Sequence, residues 1–181
     1  MQPVSGAYLC LDIDFRLCHF DLNTTRPGTS GCVVEAPFLA PSVGTGNSPV
    51  MCKVVDILRD SNAVDSLNTE VNNYAALRDL QGKVIPKVYG FYQVWGILRF
   101  LALEPVGDAI PDDEQIDASL RTKMRAALQC IHDAGFVHGD IARRNFCRTK
   151  RGKVFLVDLE TCRSVRNRSK LSEEMNAVDR L

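Results

Sequence analysis

The 181-residue sequence predicts an α+β fold, and three observations carry that expectation. Runs with the two-residue period of strands alternate with two stretches of helical period, in the order strands, helix, strands, helix, hairpin. No internal repeat of any period interrupts that order. Near the carboxy end, two short apolar runs flank a polar, glycine-containing connection, the pattern of a tight hairpin.

From the amino end, residues 6–38 carry short apolar and polar runs broken by "NTTRPGTSG", which suggests strands around a glycine turn. "PFLAPSVGTGNSP" is rich in Pro, Gly and Ser and reads as an exposed loop. "VMCKVVDIL" is a strongly apolar strand with Lys53 in its middle. A charge there needs a partner or a ligand; the alternative is an edge strand whose lysine snorkels into water. "SLNTEVNNYAALRDL", Ser66 to Leu80, spaces Leu67, Val71, Tyr74 and Leu77 along one helical face. Glu70 shares that face, so it either pairs with Lys53 or sits solvated at the stripe's rim. Two further strands follow, Val88 to Val94 and Ile97 to Leu103, joined at Gly96. A second helix runs from Ala118 to Ala134 on Leu120, Met124, Leu128 and Ile131, and Gly135 stops it.

Composition narrows the function classes. Apolar residues at 45% and charged residues at 24% are ordinary for a globular protein. Lys plus Arg equals Asp plus Glu at 22 each, so no global field favours nucleic acid or an anionic membrane. From Arg143 to Lys170 ten basic residues face only Asp158 and Glu160, but no base-stacking aromatics accompany them, which disfavours a nucleic-acid surface. Seven cysteines include no C-x-x-C pair, against both a disulfide framework and a zinc site, and His19, His132 and His138 are too scattered for a metal cluster. Arg99 interrupts the longest apolar run, and Asp12 and Asp14 break any leader-like core, so neither a membrane span nor a signal peptide is expected. A cytoplasmic or nuclear location follows as the expectation.

The hairpin carries the chemistry. "HGDIARRNFCRTKRGKVFLVDLE" runs from His138 to Glu160, with strands at Phe146-Cys147 and Val154 to Val157. In an antiparallel hairpin the residue before the first strand lies beside the residue after the second, so Asn145 and Asp158 meet at the open end. Asp140 sits one short loop upstream. Two carboxylates and an amide oxygen converging there suit Mg²⁺; the alternative is that all three are turn and cap residues.

At these residues the chain resembles the protein-kinase-like superfamily. The catalytic-loop pattern, an aspartate followed five positions on by asparagine, is matched by Asp140 and Asn145. "HGDIARRN" is similar to the H-G-D form of aminoglycoside and other small-molecule kinases. Asp158, 18 residues after Asp140, matches the metal-binding aspartate. Lys53 looks like the phosphate-anchoring lysine and Glu70 like its helix partner. "RPGTSGCV" aligns with the glycine-rich loop through Gly28, Gly31 and Val33, and "LEPVG" resembles the hinge, where the backbone of Glu104 and Val106 would bond adenine.

The resemblance implies a bilobal kinase-like fold in one domain, with a mostly antiparallel amino-terminal lobe and one αC-like helix over residues 1–103. A hinge at 104–107 and a much reduced helical carboxy-terminal lobe over 108–181 would follow. It implies ATP and Mg²⁺ as cofactors and a protein or small-molecule hydroxyl as phosphate acceptor. Asp140 would accept the acceptor's proton, Arg144 would stabilise charge on the transferred phosphoryl, and Asn145 and Asp158 would hold the metal.

The sequence also departs from the family. Arg26 replaces the first loop glycine, Asp158-Leu159-Glu160 replaces D-F-G, and Gly139 replaces the arginine that reads a phosphorylated activation loop. Only 23 residues follow Asp158, with one helix expected from Ser172, capped by Ser172 with Glu173 and Glu174 behind it. These features fit a minimal or truncated member. An active phosphotransferase is the first reading; the alternative is a pseudokinase serving as a nucleotide-binding or protein-interaction module.

Overall fold

The structure is a computed structural model and describes residues 26–28, 31–37, 49–59, 61–94, 96–165 and 167–181. The expectations for residues 6–25 and for the loop at 38–48, including Cys10, Cys18 and His19, lie outside the described residues. Among the described residues the architecture is α+β, with antiparallel sheets and three α-helices. It divides into two compact units: the chain up to Leu67 with Val88–Glu104, and Asn68–Lys87 with Pro105–Leu181.

The first unit is a five-stranded antiparallel sheet of β1 (Arg26–Gly28), β2 (Gly31–Pro37), β3 (Pro49–Asp56), β4 (Val88–Val94) and β5 (Leu98–Leu103), in the order β1-β2-β3-β5-β4. The alternation along β3 decides its two faces. Val50 and Cys52, with Val54 beside them, join Tyr92, Phe100 and Ala102 in one apolar cluster. Lys53 points to the opposite face and pairs across the ladder with Leu101, which is fully buried. An edge position for β3 is thereby corrected: β2 and β5 flank it, because its apolar residues supply both faces of a covered sheet.

Helix α1 spans Ser61–Ala76, and a single 3₁₀ turn follows at Arg78–Leu80. It starts five residues before the expected Ser66. The buried stripe explains this, since it opens at Ala63 and continues through Leu67, Val71 and Tyr74 at helical spacing. Glu70 and Asn73 are buried on the same helix.

The second unit contains β6 (Asp108–Ala109), β7 (Phe136–Val137), β8 (Phe146–Arg148), β9 (Val154–Leu156) and β10 (Arg163–Ser164), forming a three-stranded sheet β6-β8-β9 and a β10-β7 pair. Helix α2, Ala118–Asp133, begins at Asp117, whose carboxylate accepts the Leu120 N–H at 2.6 Å. It buries Leu120, Met124, Ala127, Leu128 and Ile131. It ends before Gly135, whose φ of +82° is the left-handed value glycine accepts most easily. Helix α3 spans Arg168–Arg180 and is capped by Asn167, which accepts the Ser169 N–H at 2.9 Å. The expected cap at Ser172 is thus corrected: Asn167 offers its side-chain oxygen five residues earlier, and Glu173 and Glu174 fall inside the helix. Arg121 of α2 donates to the carbonyls of Val178 and Asp179, satisfying acceptors that the end of α3 leaves open. Among the described residues no helix is long and apolar enough to cross a membrane.

Candidate functional site

In the second unit Asp140 and Asn145 lie on the segment before β8, and Asp158 follows β9. β8 and β9 pair with Phe146 opposite Leu156, so Asn145 falls opposite Val157 and accepts its N–H at 3.0 Å. That bond places Asp158 at the hairpin's open end. Asp158 has a φ of +63°, the one positive value among described non-glycine residues, a conformation that aspartate tolerates better than most side chains. It turns the chain at once into the 3₁₀ turn Leu159–Thr161.

Three contacts hold that turn. Asn73 donates its amide to the Leu159 carbonyl at 2.7 Å and to the Cys162 carbonyl at 2.8 Å, and Glu70 accepts the Leu159 N–H at 3.2 Å. Glu70 is 1% exposed. One carboxylate oxygen each from Glu70, Asp158 and Glu160 lies within 4.8 Å of the others. Oxygen donors of this kind suit a hard divalent cation.

Asp140 is held from its own loop. Asn145, 3% exposed, donates Nδ2 to the Asp140 carbonyl at 2.9 Å and to its Oδ2 at 2.8 Å. Arg144 donates to the same Oδ2 at 2.7 Å, one helical turn along. Both donors converge on Oδ2, and Oδ1 takes neither of these bonds. Asn145 commits its nitrogen to Asp140, so Oδ1 is the atom it can offer a cation. Arg144 therefore stands against the Asp140 carboxylate.

His138 is wholly buried and bonds the Val157 carbonyl through Nε2 at 3.0 Å. A carbonyl can only accept, so Nε2 carries the proton, and Nδ1 faces the Asp140 N–H at 3.4 Å. Burial pushes the His138 pKa down and outweighs the carbonyl bond and the nearby Glu174, Asp158 and Asp140 charges. The imidazole is a neutral strut between loop and hairpin. Gly139 follows with a φ of +89°, and a Cβ there would meet the Thr161 carbonyl at 2.5 Å. This close approach gives a local reason for H-G-D in place of H-R-D.

Val106 is buried against Cys147 and Phe155. Beside it Gly107, with a φ of +94°, passes so near the Arg148 carbonyl that a Cβ would lie 2.2 Å from it. In the first unit Gly28 and Gly31 pair at the end of the β1–β2 hairpin, with Thr29 and Ser30 outside the described residues. Val33 is opposite Lys53 in the β2–β3 ladder. Glu104 follows β5, and its charge, secondary to burial, raises the pKa of Tyr89. Lys53 thus belongs to the first unit and Glu70 to the second.

Sequence reasoning missed Asn73, Thr161 and Glu174. Asn73 had a signal, since it lies three residues beyond Glu70 on α1, and a second polar group there could have been read as a clamp. Thr161 donates to the His138 carbonyl at 2.9 Å, and Glu174 accepts from the backbone of His138 and Gly139. Neither bond leaves any mark in side-chain periodicity.

No family model matches the chain. Over 124 residues, 65% of its length, it is 27% identical to the serine/threonine-protein kinase KIC1 of Saccharomyces cerevisiae. That stretch is 11% of the yeast protein, so the chain spans about a tenth of the curated relative it matches. The likeness is a distant one to a serine/threonine kinase.

Proposed function

We propose that this chain is an ATP- and Mg²⁺-dependent phosphotransferase with a bilobal kinase-like fold, passing the γ-phosphate to the hydroxyl of a protein or small molecule. The observation that carries the reading is the Asp140 carboxylate, fixed on Oδ2 by Asn145 and Arg144, on a loop bonded through Asn145 and Val157 to the segment bearing Asp158. Phosphoryl transfer demands positioning and charge neutralisation more than covalent work, and an immobilised carboxylate beside further oxygen donors answers both needs.

In this reading Asp140 orients the acceptor hydroxyl and takes its proton on Oδ1. The acceptor oxygen forms a bond to the γ-phosphorus while the bond from phosphorus to the β,γ-bridging oxygen breaks, and ADP leaves. Asn145 and Asp158 hold Mg²⁺, which when bound neutralises phosphate charge. Lys53, paired with Glu70, anchors the α and β phosphates. Gly28, Gly31 and Val33 cover them, and the backbone of Glu104 and Val106, in a hinge at 104–107, receives adenine. Arg144 orients Asp140 and stands ready for the transferred phosphoryl. The cysteine pattern of the sequence, without C-x-x-C pairs, accords with a cytoplasmic or nuclear location.

A second reading, a pseudokinase that binds nucleotide or partner without transfer, is supported by Glu160, which adds a third carboxylate beside Asp158 and Glu70. Thermal shift with ATP, with and without Mg²⁺, tests the nucleotide site. Stabilisation that requires Mg²⁺ and disappears in Asp158→Asn supports it; equal shifts in both proteins reject the metal assignment.

A further inference from the structure

The 3₁₀ turn Arg143–Asn145 carries both side-chain donors to the Asp140 carboxylate, Arg144 and Asn145. Such a turn has three residues per revolution, so successive side chains leave it about 120° apart. Arg143 therefore leaves on another side, and there it meets a second element. Its Nη1 donates to the carbonyls of Pro111 and Asp112, each at 3.0 Å, and to that of Glu114 at 2.6 Å. Its Nη2 donates to the carbonyl of Leu181, just past α3. One planar guanidinium, with its fork of fixed donors, thus gathers four backbone acceptors.

The segment it grips is itself fixed. The Glu114 N–H donates to the Pro111 carbonyl at 3.3 Å, closing a turn. Arg148, at the far end of β8, forks onto the Glu114 carboxylate, Nη1 to Oε1 at 2.6 Å and Nη2 to Oε2 at 2.8 Å. An arginine at each end of β8 therefore ends on Glu114, Arg143 on its carbonyl and Arg148 on its carboxylate. Their placements differ in one respect: Arg143 belongs to the turn that presents Arg144 and Asn145. The backbone secures that turn at its end, where the Asn145 carbonyl accepts the Val157 N–H and the Phe146 carbonyl accepts the Ile110 N–H at 2.9 Å. The Arg143 side chain secures its start.

We propose that Arg143 is a positioning residue for Asp140: by clamping the Pro111–Glu114 turn and the Leu181 carbonyl, it fixes the 3₁₀ turn from which Arg144 and Asn145 reach the Asp140 carboxylate. The role in turnover rests on the phosphotransferase reading; the hold on the turn does not. Lysine at 143 keeps the charge but offers a single ammonium on a flexible stem, which cannot span all four carbonyls.

The test compares wild type, Arg143→Ala, Arg143→Lys and Arg148→Ala in label transfer from ATP and Mg²⁺ to casein and to the chain's own hydroxyls, in ADP release to water, and by NMR at the Asn145 side-chain amide. Arg143→Ala is expected to lower kcat about 30-fold with KM for ATP within about twofold, inside the roughly 100-fold that a misplaced reacting group can cost, and Arg143→Lys to recover part of the loss. The Asn145 side-chain amide should shift and exchange faster in Arg143→Ala, with backbone protection of β9 and α2 unchanged. Arg148→Ala, which frees the same Glu114 from the other end of β8, should keep kcat within about threefold, because Arg143 still holds the turn. Unchanged kcat in an active Arg143→Ala protein, an unmoved Asn145 amide signal, or an equal loss in Arg148→Ala overturns the proposal. Should wild type neither bind ATP nor transfer phosphate, the phosphotransferase reading and the turnover role fall, and the Asn145 amide signal still decides whether Arg143 fixes the turn. Should Arg143→Ala fail to fold, Arg143→Lys is read by the same criteria.

Discussion

Asn145 donates one side-chain nitrogen to both the carbonyl and the carboxylate Oδ2 of Asp140, at 2.9 and 2.8 Å, while its own carbonyl accepts the Val157 N–H at 3.0 Å. The buried side-chain amide thus closes the loop on Asp140, and the backbone carbonyl of the same residue fastens that loop to the hairpin. Replacing Asn145 by alanine leaves Arg144 as the side-chain donor to the Asp140 carboxylate among the described residues. Asn145→Ala is expected to lower unfolding free energy by about 1–3 kcal/mol, the cost of removing a buried partner from a charged group. Urea denaturation checks it, and a midpoint equal to wild type contradicts the bonding scheme.

Gly139 and Gly135 both have positive φ, yet their surroundings differ. A Cβ at Gly135 meets nothing within 4 Å, whereas one at Gly139 meets the Thr161 carbonyl at 2.5 Å. Gly135→Ala should therefore cost about 1 kcal/mol, the left-handed penalty alone, and Gly139→Ala about 2 kcal/mol or more. Parallel urea titrations compare them, and equal losses would show that the contact with Thr161 is inconsequential.

Tyr74 is fully buried, and its hydroxyl has no hydrogen-bond partner among the described residues. Burial, reinforced by Glu70 and Asp158, drives its pKa well up, so the phenol stays neutral. An unpaired buried hydroxyl is a cost, so Tyr74→Phe should be neutral or stabilising by about 1 kcal/mol. A melting temperature several degrees lower would reveal a bond to that hydroxyl.

His138 gives stability a pH dependence of defined sign. Its folded pKa lies below the value near 6.5 expected of an unfolded histidine. Above that pH both states are neutral and the contribution is fully present. As pH falls, the unfolded chain takes a proton that the buried imidazole refuses, and stability is lost down to the folded pKa. The urea midpoint should drop as pH is lowered through the unfolded value, and an NMR titration should show the His138 ring protonating at a lower pH than an exposed histidine does. A ring that protonates above pH 6.5 contradicts the burial argument.

Much of the fold was legible because burial imposes periods that the sequence must carry. Leu120, Met124, Leu128 and Ile131 mark α2 at helical spacing, and all four are buried. The hairpin was readable from two apolar runs around a glycine, and the strand containing Lys53 from its unbroken apolar flanks. The start of α1 was hidden because Ser61 and Asn62 resemble a turn. α3 was placed late because Asn167, the true cap, stands in a basic, polar stretch. In the candidate site, the five-residue spacing of Asp140 and Asn145 was enough to put them on one loop, where their side chains bond. Asn73 and Glu174 were not legible: they bond backbone groups 86, 89, 36 and 35 residues away, and such partners have no side-chain signature.

The central claim is transfer at Asp140, and radiolabelled γ-phosphate transfer in Mg²⁺, with casein as acceptor and with the chain's own hydroxyls, tests it most directly. Wild type should incorporate label, and Asp140→Asn, which keeps the shape but removes the proton acceptor, should lose it by about 100-fold or more while retaining the Mg²⁺-dependent thermal shift with ATP. Label incorporated equally by both proteins, or a wild type that binds ATP and transfers none, would contradict it.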